Sequence, residues 1–489
     1  MLITDIRHAE ELLGAGAPAD ICGVLRACVR EDFASFCEAM FPVLAPGRTL
    51  QWNWHLEAMC SALESVARGE TTRQLIELPP RSLKSIVTSV MFPAWLLGRR
   101  PATRIICASY SLGLGIKLHN DCRAVMRSPQ YRELFPDSAL GAGKDSETEL
   151  VTAQRGGRYV SSPDGTLTGR GGDIILLDDI LSAKEAYSTH KREATNDWLR
   201  HTALSRLDDK RTGAIVVCCQ RLHVGDLPGA LREAGGWAIL SLPAIAQLDQ
   251  LVAVGRNRLR QFRTGELLHP EREPHSVLEQ LQKEMGSATF SAQYLQRPIP
   301  VDGELVKWGW FRRYDDIPNS HDRRVYQSWD VAISTGDTAD CSVGTTWVQN
   351  GSDYYLVDVD RSRSDFPSLL RRVRRLAIQW DARAILIEED GLGKGFIQQF
   401  NAQSEGQVRA IACRAEGSKA TRLIDVSPMI EAGHVYLPNR APWLDELRRE
   451  LAEFPNGRHD DQIDSITQFL KWQRTRSTST VRLVTLRGR

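Results

Sequence analysis

The sequence is short of the features that mark several protein classes. Its ten cysteines are scattered over 489 residues. Cys218 and Cys219 are adjacent and no C-x-x-C pair occurs, so neither a zinc ribbon nor a disulfide framework is indicated, and a reducing, intracellular setting is expected. No stretch approaches 18 uninterrupted apolar residues, so no transmembrane helix is expected. The opening "MLITDIRHAEELLG" lacks the apolar core of a signal peptide. Net charge is nearly absent, at 62 Lys+Arg against 61 Asp+Glu, so a polyanion would have to be met by local patches. Two such patches exist. "LLRRVRRLA" holds Arg371, Arg372, Arg374 and Arg375, and the C-terminal "RTRSTSTVRLVTLRGR" holds five arginines and no acid.

A hydrophobic content of 42% and a charged content of 25% describe an ordinary globular chain, and the length suggests two or three domains. Residues 1–45 read as helical. Over 46–250 the runs "RQLIELP", "RIICAS", "GRYVSS", "DIILLDD", "GAIVVCC" and "WAILSLP" alternate with helical segments, the pattern of an α/β domain with a parallel sheet. Residues 251–320, with stretches such as "QRPIPVDGE", form a linker or subdomain region. Over 321–474 the strand candidates are "VYQSWDVAIS", "CSVGTTWVQ", "DYYLVDVD", "RAILIEED" and "GHVYLP". Three strands, then helix, strand, helix is the order of a ribonuclease-H-like fold. Residues 475–489 are a basic tail.

The stretch "IELPPRSLKSIVTSV" has the order of a phosphate-binding loop: strand, turn, Lys84 and Ser85, helix. It offers Leu83 where G-x-x-x-x-G-K-[ST] wants a glycine beside the lysine, with Arg81 and Ser82 as further candidate nucleotide-binding residues of the loop. Such a loop turns backbone N–H groups and a helix N-terminus on anionic oxygens while the lysine adds a charge. The later run "GRGGDIILLDDI" ends four apolar β-formers in Asp178 and Asp179. This is a Walker B pattern, in which the first acid supports Mg²⁺ and the second activates the attacking water. Glu185 is the alternative base. Arg170, between glycines, and Arg81 are candidates to meet a γ-phosphate. Gln220, Arg221 and His223 follow a strand where hydrolysis is coupled to movement in helicase-like motors.

A second set of acids suits two-metal nuclease chemistry, which needs three or four carboxylates converging on hard cations. Asp330 interrupts an apolar strand. Glu388, Glu389 and Asp390 end another. Asp460, Asp461 and Asp464 open a helix, with Asp460 and Asp464 one turn apart on one face. Which of those three bind metal stays open.

An ATPase followed by a metal nuclease resembles the large terminase subunit of tailed bacteriophages. The resemblance runs from "WHLEAMCSALESVARGE" onward and rests on "PPRSLKS", "TLTGRGGDIILLDD", "CQRLHVGDLPG", "FSAQYLQRPIP", "SWDVA", "ILIEEDGLG", "GSKATRLIDVSPMIEAGHVYLP" and "FPNGRHDDQIDS". It implies a P-loop, RecA/ASCE-like ATPase domain and a nuclease domain that together drive double-stranded DNA into a procapsid and cut the concatemer. It further implies ATP and Mg²⁺, with Mg²⁺ or Mn²⁺ in the nuclease. The implied partners are a small terminase subunit, the portal protein and a homo-oligomeric ring, a pentamer by expectation. The implied place is the bacterial host's cytoplasm, with transient docking on the procapsid. Lys84, Ser85 and Asp178 become the nucleotide and Mg²⁺ residues, Asp179 the base, Arg170 a finger acting across subunits, and Asp330, Glu388 and Asp460 the core nuclease ligands, with Asp461 and Asp464 as close alternatives. Competing readings are a repair or defence helicase-nuclease, which would need a second motor domain, and an inactive prophage remnant that binds DNA without turnover.

Overall fold

The computed structural model describes residues 18–138, 140–165, 167, 169–299, 305–318, 323–332, 341–403, 408–455, 457 and 460–486. Residues 1–17 of the expected N-terminal segment, Thr166 and Thr168 of "TLTGRGGD", and the last three residues of the basic tail lie outside them. The chain divides into two units: Met1–Leu278 with Ser291–Pro298, and Glu279–Phe290 with Ile299–Arg489.

The first unit is built on eight strands: β1 (Arg73–Glu77), β2 (Arg104–Ser109), β3 (Leu140–Asp145), β4 (Glu149–Thr152), β5 (Gly157–Ser161), β6 (Ile174–Asp178), β7 (Ala214–Cys219) and β8 (Ala238–Ser241). Their order is β3-β4-β5-β2-β6-β7-β1-β8. Within that order every neighbour from β5 onward is parallel, while β3 and β4 add an antiparallel edge. β6 and β7 are buried at every position, as continuous apolar runs must be when helices cover both faces of a parallel sheet. All six anticipated runs form strands. β3 and β4 were not anticipated, because "LGAGKD" is glycine-rich and "ELVT" is too short to show a period. A further hairpin, β9 (Gln250–Gly255) and β10 (Arg258–Phe262), falls in the region where the sequence pattern weakens.

Register sets the functional edge of this sheet. Glu77 pairs with Cys219, Asp178 with Cys218 and Ser109 with Asp178. The C-terminal ends of β1, β7, β6 and β2 therefore finish level, and the loop after β1 opens beside Asp178. A strand stands between β1 and β6, as a RecA/ASCE-like sheet requires.

The second unit carries a seven-stranded sheet ordered β11-β17-β14-β13-β12-β15-β16. Its strands are β11 (Arg312–Tyr314), β12 (Arg324–Asp330), β13 (Ser342–Asn350), β14 (Asp353–Ser362), β15 (Ala384–Glu388), β16 (Arg409–Cys413) and β17 (Val435–Pro438). β12, β13 and β14 form an antiparallel meander, and β15 and β16 continue parallel to β12. This is the ribonuclease-H-like order. The short β11 and the alanine-rich β16, "RAIAC", were not among the anticipated strands. The helix Asp461–Leu486 packs across the meander. Phe469 stacks on Trp347 at 4.6 Å, and Ser465 Oγ donates to Ser328 O at 2.7 Å. Among the described residues no helix is long and apolar enough to cross a membrane.

Candidate active sites

In the first unit the loop after β1 runs from Pro79 to Ser85. Arg81 and Leu83 both adopt left-handed backbone angles, φ 63° and 61°. Alternating left- and right-handed residues turn successive N–H groups toward one side, the nest geometry that binds anions. Leu83 thus adopts the left-handed angles that glycine would supply, at a cost of about 1–2 kcal/mol. The loop is held in place locally: Ser82 Oγ donates to Pro79 O at 2.7 Å, and the Arg272 guanidinium donates to Arg81 O at 2.6 Å.

The anticipated residues meet here. Ser85 Oγ donates to Asp178 Oδ1 at 3.1 Å, and Lys84 Nζ pairs with Asp179 Oδ2 at 3.2 Å. Asp178 is 1% exposed, and burial followed by the charge of Asp179 pushes its carboxyl up to about 7. Its Oδ2 is buried without a hydrogen-bond partner among the described residues. An orphaned carboxylate oxygen beside a serine hydroxyl fits a hard divalent cation. Burial alone would lower the Lys84 ammonium, but Asp179 and its other neighbours outweigh that and raise it. Asp179 sits at φ 42° and accepts from Gln220 N at 3.3 Å. Glu185 is engaged elsewhere, by Ser182 Oγ at 2.9 Å and Lys191 at 3.2 Å.

Arg170 lies apart from this cluster. Its partners stand on β4 and β5, and four strand steps, roughly 19 Å, separate β5 from β1 and the loop that follows it. Its guanidinium pairs with both oxygens of Glu149 and lies over the Tyr159 ring at 4.3 Å. This arginine is seated against β4 and β5, toward the antiparallel edge of the sheet. Arg221 and His223 are likewise buried in structure: Arg221 Nε donates to Asp226 at 3.0 Å, and Asp226 accepts from the Leu222 and His223 amides.

In the second unit Trp329 pairs with Ile387, so Asp330 and Glu388 end neighbouring parallel strands. Asp330 closes its strand, where the sequence had suggested an interruption. Asp461 and Asp464 lie in the first turn of the long helix, with Asp460 directly before it. Of the three acids in "IEED", only Glu388 faces this group. Glu389 pairs with Arg414, and Asp390 caps the helix Gly391–Ala402. Burial, then Asp464, Asp461 and Glu388, push the Asp330 carboxyl up to about 7. Such crowding of anions marks a place short of cationic charge, and the all-oxygen donor set suits Mg²⁺ or Mn²⁺.

Three cations answer part of that demand, none given a role by the sequence: Arg361, 3.9 Å from Asp461 Oδ2, and the closer Lys419 and Arg422. Lys419 Nζ lies 2.6 Å from Asp460 Oδ1 and 2.8 Å from Asp464 Oδ2. Arg422 donates to Glu388 Oε2 and Asp464 Oδ1, both at 2.9 Å. Among the described residues no three His, Cys, Asp or Glu side chains stand in metal-ligand geometry. The available signal was a lysine in "GSKATRL" at the first position of a helix, where the macrodipole disfavours a cation.

A parallel P-loop unit and a ribonuclease-H-like unit with an acidic cluster define a chain that joins an ATPase fold to a nuclease fold. Residues 327–471, within the C-terminal unit, match the family described as "Terminase RNaseH-like domain". Among solved structures, the large terminase of one thermophilic bacteriophage, in complex with ATP-γ-S, is similar at 11% identity, covering 84% of this chain and 98% of that one, TM-score 0.48. The HK97 bacteriophage large terminase is similar at 11% identity, covering 83% and 90%, TM-score 0.34. The large terminase nuclease of a second thermophilic phage, G20c, with bound magnesium is similar at 16% identity, covering 35% and 98%, TM-score 0.28. A comparison with curated proteins gave no match.

Proposed function

We propose that this chain is the large subunit of a viral terminase, hydrolysing ATP to drive double-stranded DNA into a procapsid and cutting the concatemer with its C-terminal domain. The observation that carries this reading is the pairing of Lys84 and Ser85 with Asp179 and Asp178 in one unit, joined to a terminase-type domain that gathers Asp330, Glu388, Asp460, Asp461 and Asp464.

In the ATPase, the nest around Leu83 receives phosphate oxygens and Lys84 transfers its charge from Asp179 to them. Asp179, released from the ion pair, takes a proton from the attacking water, a role its place beside Lys84 favours over Glu185. Ser85 and Asp178 are the residues that would hold Mg²⁺. Arg170 serves a neighbouring subunit's phosphates, because its seat on β4 and β5 is four strands from its own phosphate loop after β1. That assignment requires a ring, and Glu149 holds the finger until it is engaged. In the nuclease, Asp330, Glu388 and the aspartates at 460, 461 and 464 would hold Mg²⁺ or Mn²⁺ and orient the scissile phosphate. Bound divalent cations supply phosphate charge neutralisation at the first site and Lewis acidity at the second. Grip on the duplex is phosphate-dominated and weakens with salt. The small terminase subunit selects the DNA, and the portal of a procapsid in the host cytoplasm receives the ring.

The test is packaging in vitro with procapsids, small subunit and linear DNA, read as DNA protected from nuclease. Wild type is expected to protect full-length DNA, and Lys84→Ala none. Protection by Lys84→Ala equal to wild type would contradict the motor reading.

A further inference from the structure

We infer that Lys419 is a built-in cation that competes with divalent metal for the nuclease carboxylates, so that metal loads only when its side chain swings out. The inference rests on the nuclease reading above and concerns what sets metal affinity there.

Three features separate Lys419 from an ordinary surface ion pair. It contacts two carboxylates at once, Asp460 Oδ1 and Asp464 Oδ2. Arg422 holds the other oxygen of Asp464 and one of Glu388, so the two cations together occupy four of the oxygens a metal would need. Lys419 also sits at the first position of the helix Lys419–Glu431, capped by Ser418, where a positive charge opposes the macrodipole. Helix stability does not call for a lysine there; the carboxylates do.

The two cations are not equivalent. The Arg422 side chain is 9% exposed and the Lys419 side chain 46%. A buried, forked guanidinium is a fixed strut that keeps Glu388 and Asp464 together. A half-exposed ammonium on a flexible stem can leave for water at small cost. Electroneutrality then works as a switch: with Lys419 in, the cluster is partly balanced and metal is disfavoured; with a divalent ion in, Lys419 is repelled.

The test uses the full chain and Mn²⁺ alone, titrated calorimetrically, with Asp330→Asn as the control for the site. Removing the competitor in Lys419→Gln should tighten Mn²⁺ binding roughly tenfold, the scale set by the loss of two ion pairs made by one half-exposed ammonium, while Lys419→Arg stays near wild type. Weaker binding in Lys419→Gln would make Lys419 a strut and overturn the inference, as would equal tightening in Lys419→Arg. A wild-type readout removes dependence on the variants: acylation of Lys419 by an amine reagent, followed by mass spectrometry, should speed up when Mn²⁺ is added. An unchanged or slower rate overturns the inference. If wild type shows no Mn²⁺ binding that Asp330→Asn abolishes, the nuclease reading itself fails first.

Discussion

Leu83 allows a sharp energetic test of the phosphate loop. At φ 61° an L-residue carries about 1–2 kcal/mol that glycine does not. Leu83 is half-buried and packs against the main core of the first unit, so truncation gives up about 1 kcal/mol of apolar burial. Leu83→Ala loses that packing and keeps most of the strain, and should be destabilised by about 1 kcal/mol. Leu83→Gly loses the same packing but sheds the strain, offset by about 0.5–1 kcal/mol of added chain entropy. It should therefore be more stable than Leu83→Ala by about 0.5–1 kcal/mol, reversing the usual order of the two residues. For a unit of this size that corresponds to a melting difference of about 2 °C, readable by calorimetry of the full chain as a shift in the transition the variants move. Leu83→Ala at least as stable as Leu83→Gly would refute the left-handed loop.

Other consequences are equally direct. Ser85→Ala and Asp178→Asn should each weaken Mg²⁺-dependent ATP hydrolysis by about 10²-fold or more, and nucleotide binding measured without Mg²⁺ should change far less in Ser85→Ala. Mixing Arg170→Ala subunits into wild type should poison ring ATPase more than in proportion to the fraction added; a strictly proportional loss would contradict action across subunits. Glu450 accepts from Gln462 Nε2 at 2.9 Å and Ile463 N at 3.0 Å, and burial pushes its carboxyl from 4.5 up to about 7. The folded protein therefore holds a proton there that the unfolded chain releases, so this group's contribution to stability is full below pH 4.5 and falls as pH climbs to about 7. Glu450→Gln should flatten that part of the stability profile and raise the melting temperature at about pH 8 relative to wild type; an unchanged pH profile would contradict the assigned burial.

The parts of the fold legible in the sequence were those with local signals. β6 and β7 announced themselves as apolar runs, and Asp178 stands out because it ends one of them. Lys84 and Ser85 were legible by order alone, since the glycine was missing; the left-handed Leu83 shows that the backbone kept the shape while the side chain changed. What escaped was non-local. Arg170 meets Glu149 across 21 positions, and Arg422 meets Asp464 across 42, and no period or spacing encodes such pairings. β3 and β16 were missed because glycine and alanine give weak strand signals and tertiary pairing decides for them. Asp330 looked mid-strand because apolar residues continue past it, although the ladder ends there.

The central claim is that two separable chemistries occupy two units, and one paired measurement addresses it. DNA-stimulated ATP hydrolysis and Mn²⁺-dependent nicking of supercoiled plasmid are assayed on Lys84→Ala and Asp330→Ala side by side. The account predicts that Lys84→Ala loses hydrolysis and still nicks, and that Asp330→Ala still hydrolyses ATP and no longer nicks. Nicking by Asp330→Ala, or hydrolysis by Lys84→Ala, at the wild-type rate would contradict it.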